Sequence, residues 1–80
     1  MEIDDLLYSI LTREGFLEEF WKEYQARYKR GEMTTQKEVF EYLNDYYFEN
    51  MGKYMFASFD AFRHYRKRLY KQRPEHLINF

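Results

Sequence analysis

The densest run of chemically capable side chains in this sequence is cationic. Arg63, Lys67 and Lys71 recur every four residues, with His64 and Arg68 beside them, so on a helix all five share one face. From Ala61 to Arg73 there are six Lys or Arg residues and no acid, whereas an ordinary solvated helix face interleaves both signs. Such a face can hold phosphate or carboxylate oxygens. Arg supplies bidentate donors and Lys a point charge, while Tyr65 or Tyr70 is available nearby to stack on a base. Arg66 and His64 are expected to flank a centre made by Arg63, Lys67, Arg68 and Lys71. A third account keeps the cations within the fold, where they answer acids elsewhere in the chain and complement the negative pole of their own helix.

Catalysis and metal binding have little material. Two Ser, two His and no Cys leave few ways to assemble a nucleophile, a base and an orienting acid. The pairs Asp4/Asp5 and Glu18/Glu19 are adjacent in sequence, so on a helix the members of each pair diverge by about 100° and do not converge on one substrate atom. His64 and His76 lack a neighbouring ligand set, and the bases around His64 repel a cation. The absence of cysteine also removes thiolate zinc sites, iron–sulfur clusters and disulfides. No glycine-rich phosphate loop occurs. The reading is a non-enzymatic chain with no cofactor and no metal.

The cationic face needs a helix, and the helix needs a core. Eighty residues suit one small domain. Nine Tyr, eight Phe and one Trp outnumber the aliphatic residues, so aromatic rings must build much of the interior. A buried tyrosine needs a partner for its hydroxyl, which places many of the nine at the core boundary. Hydropathic spacing predicts four helices, at about 4–13, 16–30, 36–50 and 59–72, followed by an apolar tail at 75–80. The first break is expected near Gly15. Gly31 suits the end of the second helix, and Gly52 that of the third. Thr35 followed by Glu38 matches a capping box, and Ser58 suits the N-cap of the last helix, whose inward stripe is Phe59, Phe62, Tyr65 and Leu69. The fold class expected is all-α, a compact bundle of three or four helices around an aromatic-rich core. The 53–58 connection is too apolar to stand in water and is expected to pack down.

The stretch from Thr34 to Lys71, with Thr-Gln-Lys-Glu-Val-Phe-Glu-Tyr-Leu at 35–43 and Ser-Phe-Asp-Ala-Phe-Arg at 58–63, resembles small uncharacterised helical proteins of bacterial phages and mobile elements. The resemblance implies a compact, non-catalytic, partner-binding protein and gives no residue a role.

Net charge is −1, but residues 1–20 carry −5 and residues 61–80 carry +5. The acidic beginning would repel phosphate within a Debye length of about 8 Å, so an acidic protein partner is favoured over nucleic acid. A helix-turn-helix does not fit well, because the connection from Gly52 to Ser58 exceeds the roughly 3–4 residues usual for that motif. DNA binding through phosphates on the same helix remains the alternative. No apolar run is long enough for a membrane span, and the acidic start is unlike a signal peptide, so a cytoplasmic protein with no membrane partner is expected. A second copy of the chain, docking through Phe48 or through the Leu77–Phe80 tail to form a homodimer, is a third class of partner.

Overall fold

A computed structural model describes residues 4–72. Four helices follow one another, α1 (Asp5–Ser9), α2 (Arg13–Lys29), α3 (Gln36–Met51) and α4 (Phe59–Gln72), and no strand forms among the described residues. The all-α bundle expected from the sequence is the fold. The apolar tail at 75–80 lies outside the described residues.

α1 is shorter than its hydrophobic pattern suggests. The break falls at residues 10–12 rather than at Gly15, because Thr12 starts a new helix by accepting the Gly15 N–H at 3.0 Å. Ile10 closes α1 with a shared hydrogen bond to the carbonyls of Leu6 and Leu7, both at 3.2 Å. Gly15 then lies inside α2, where its value is space: a Cβ there would come within 1.9 Å of the Ser9 carbonyl oxygen. The glycine therefore lets α1 fold back tightly on the first turn of α2.

The other helix starts and stops follow local chemistry. Thr35 accepts the Glu38 N–H at 3.1 Å, and Ser58 accepts the Ala61 N–H at 3.1 Å. Gly52 adopts the left-handed conformation at φ 76° and its N–H returns to Phe48 O, which ends α3.

Among the described residues twelve apolar ones are buried, and half are aromatic: Phe16, Phe20, Phe40, Tyr47, Phe56 and Phe62. Phe62 of α4 is the hub. Its ring lies 5.5 Å from Phe16, 4.9 Å from Phe20, 5.2 Å from Phe40 and 5.3 Å from Phe56, so one side chain joins α2, α3 and the α3–α4 connection. Most of these pairs are edge-to-face, the arrangement that aligns a ring's positive rim with its neighbour's negative face. Eight of the nine tyrosines stay at the boundary or outside, and Tyr47 alone is buried.

The connection between α3 and α4 packs down as its composition requires. Phe56 enters the core, which takes its backbone polar groups out of water. Asn44, the single buried polar residue among the described ones, satisfies them. Its Oδ1 accepts from Met55 N–H at 3.1 Å and Phe56 N–H at 3.2 Å, and its Nδ2 donates to Phe56 O at 2.9 Å.

α1 is tied to α3 at the surface. Asp4 caps α1 by accepting the Leu7 N–H at 2.7 Å, and its other carboxylate oxygen accepts the Tyr46 hydroxyl proton. The Tyr46 bond, followed by the Leu7 N–H, holds the Asp4 carboxyl below its ordinary value of 3.8. The same bond raises the Tyr46 hydroxyl above its ordinary 10.0. A depressed carboxyl stabilises the fold above its unfolded value and loses that contribution as pH falls through the folded one. A raised hydroxyl contributes below 10.0 and loses its share as pH rises through its folded value. Urea unfolding should therefore show Tyr46→Phe less stable than wild type by a constant margin between about pH 5 and pH 9. That margin should narrow as pH falls below 3.8 and again as it rises above 10.0. A margin that does not change with pH contradicts this role for the pair.

Candidate functional site: the cationic face of α4

Burial of Phe62 and Leu69, with Phe59, Tyr65 and Tyr70 packed beside them, sets the rotation of α4. Arg63, His64, Lys67, Arg68 and Lys71 then emerge on the opposite side, all exposed, along about 12 Å of helix. Ala61, His64, Lys67 and Arg68 line a shallow depression on this face. Among the described residues Arg63 is the one of the five with a carboxylate nearby, Asp60 at 3.6 Å, and its guanidinium also lies 5.9 Å above the Phe59 ring. Exposed on both sides, that ion pair leaves the Arg63 donors available to a competitor. His64, Lys67, Arg68 and Lys71 have no carboxylate partner among the described residues.

Arg66 does not flank these five. It points to the other side of α4 and lies half-buried, its guanidinium 5.3 Å from the Trp21 ring, 5.8 Å from Phe62 and 5.9 Å from Phe20. It also donates to Gln36 Oε1 at 3.2 Å. Burial lowers the pKa of this guanidinium; the Tyr70 hydroxyl opposes the effect and the Arg63 charge adds to it. Nearby, Trp21 Nε1–H donates to the Tyr70 hydroxyl at 2.7 Å, a hydrogen bond between α2 and α4. The sequence carries a signal for this placement. Arg66 is four residues after Phe62 and three before Leu69, which puts it within the apolar stripe. Arg66 is thus a positioning residue that holds α4 at the angle presenting the other five.

The long-range neutralisation that opposite segment charges suggest does not occur among the described residues. Ion pairs there are local: Lys22–Glu19, Arg27–Glu23, Arg30–Glu23, Arg30–Glu32 and Arg63–Asp60. No ion pair among them joins α4 to another helix. No group of metal-ligating side chains comes together among the described residues, and no helix there is long and apolar enough to cross a membrane.

One surface feature was only half visible in the sequence. Phe48 lies over Tyr54, with ring centroids 4.5 Å apart and an interplanar angle of 25°. Phe48 is identifiable from its position opposite the buried arc of α3. Tyr54, its partner in the connection, is brought there by the turn at Gly52. Beside them Glu38, Glu41, Asp45 and Glu49 are exposed along α3. Their spacing marks one helix face, a signal present in the sequence that the cap at Glu38 masks.

Compared with family models, curated proteins and solved structures, the chain matches none. The functional reading therefore rests on the geometry of α4 and its neighbours.

Replacing Arg66 with Ala removes three ring contacts, the bond to Gln36 and the packing of the side-chain stem. Urea unfolding is expected to report a loss of about 1–3 kcal/mol, with a changed Trp21 emission in the folded state. Unchanged stability and emission would contradict the positioning role.

Proposed function

We propose that this chain is a non-enzymatic binding protein whose α4 face docks on an acidic protein surface, with Arg63, Lys67, Arg68 and Lys71 at the centre and His64 at the edge. One observation supports the reading most directly: the cations of this face lie outside the core and, Arg63 apart, lack carboxylates among the described residues, whereas Lys22 and Arg27 of α2 have local acidic partners. A concentrated positive strip without counter-charges raises the potential that steers an acidic partner and sets its register.

A protein is favoured over DNA because α3, which packs against α4, carries four exposed carboxylates. A phosphate polymer extending past the strip meets that repulsion, whereas a compact acidic patch avoids it. A cytoplasmic setting belongs to the same proposal. A phage or mobile-element origin joins it through the sequence resemblance.

The test is a pull-down from a lysate of the source organism, with and without nuclease, comparing wild type with Lys67→Glu/Arg68→Glu. The reversal should reduce capture of the partner about tenfold or more while leaving the helical circular dichroism signal intact. Nuclease-sensitive capture would assign the face to nucleic acid instead, with a steep salt dependence of about −0.9 in the log-log slope per phosphate contact. Capture that is indifferent to the reversal rejects the surface.

A further inference from the structure

Two strips of opposite sign lie on this molecule, and among the described residues Arg63, paired with Asp60, is the one member of either with an ion-pair partner. On α3, Glu38, Glu41, Asp45 and Glu49 follow one another at helical spacing, all exposed, and none forms an ion pair among the described residues. They span about 16 Å of helix, against about 12 Å for the cations of α4 from Arg63 to Lys71. α3 and α4 are neighbours, yet the described ion pairs never cross between them.

The acidic strip ends on an aromatic seat. Phe48 is 42% exposed and Tyr54 50%, so each ring of the stack keeps an accessible surface, with Asp45 and Glu49 on the adjoining helix positions. The seat is held in place from below. Asn44 pins Met55 and Phe56 by three hydrogen bonds, and the left-handed Gly52 turns the chain so that Tyr54 returns over α3. Stacked rings beside carboxylates form an environment suited to a guanidinium, which can lie flat on a ring while donating at its edge.

This chain uses such contacts repeatedly. Arg13, Arg27, Arg63 and Arg66 each lie within about 6 Å of a ring centre, and Arg30 pairs with Glu23 and Glu32. Among the described arginines, Arg68 has neither kind of partner.

We propose that the acidic surface taken by α4 is the α3 strip of a second copy of this chain, with Arg68 seated on the Phe48–Tyr54 stack. The inference rests on the reading of α4 as an acid-binding face and names its partner. Opposite signs set the register of the contact. Exposed ion pairs contribute little affinity by themselves, so the aromatic seat supplies the apolar anchor. One helix face on another buries a small area, which makes the association weak, concentration-dependent and sensitive to salt.

Sedimentation velocity at low ionic strength, from micromolar to submillimolar protein, tests this. Wild type should gain mass above the monomer and return to it as NaCl is added. Lys67→Glu/Arg68→Glu and Glu41→Lys/Asp45→Lys should each be monomeric alone. Mixed in equal amounts, the two variants should associate, because every face then meets its opposite. Phe48→Ala introduced into both should weaken the mixture by about tenfold or more, which a purely long-range attraction between differently charged proteins would not produce. Circular dichroism confirms that each variant is folded, and Arg68→Lys, which keeps the charge but not the planar donor, should still weaken wild-type association. A wild type that stays monomeric throughout, or a mixture that fails to associate, overturns the proposal. If the monomer still captures an acidic protein through Lys67 and Arg68, the reading of α4 survives without this partner. If that capture is absent as well, both fall.

Discussion

Burial of the Phe62 ring is the constraint on which the rest depends. It contacts phenylalanines from α2, α3 and the connection before α4, so its position closes the bundle and fixes the rotation of the last helix in one step. With Phe62 inside, helical periodicity sends Arg63, His64, Lys67, Arg68 and Lys71 outward. The exposed charge of α4 is therefore a consequence of core packing, and its direction cannot change without dismantling that packing.

Around this hub, polar groups do the fine positioning. Arg66 and Trp21 tie α4 to α2 and α3 from the boundary, where a guanidinium can cover rings while keeping its donors near solvent. Asn44 does the equivalent for the connection, letting Phe56 reach the core without stranding its backbone. Asp4 and Gly15 hold α1 in place, one through hydrogen bonds and the other through an omitted Cβ. Each solves a local problem created by packing large rings in a small bundle.

These differences of role explain what could be read in advance. The Thr35 and Ser58 caps, the left-handed Gly52 and the inward stripe of α4 are local in sequence, and the structure has them where the pattern places them. α1 ends earlier than its pattern predicts because the apolar periodicity continues past Ser9, while the Thr12 cap that interrupts it is a single short side chain. Asn44 gives no periodic signal, since its partners lie 11 and 12 residues away in a connection. Residue type places Arg66 among the outward cations, although its spacing from Phe62 and Leu69 puts it on the inner side. Charge identity is legible from composition, whereas the partner of a charge depends on tertiary placement.

The central claim is that the outer cations of α4 contribute nothing to holding the bundle together and are free for an external surface. Urea unfolding of Lys67→Gln/Arg68→Gln at low ionic strength tests it most directly. Neighbouring like charges repel, so the account predicts stability unchanged within about 0.5 kcal/mol or slightly raised. A loss above about 1.5 kcal/mol would show that these side chains serve the fold, contradicting their assignment to a docking face.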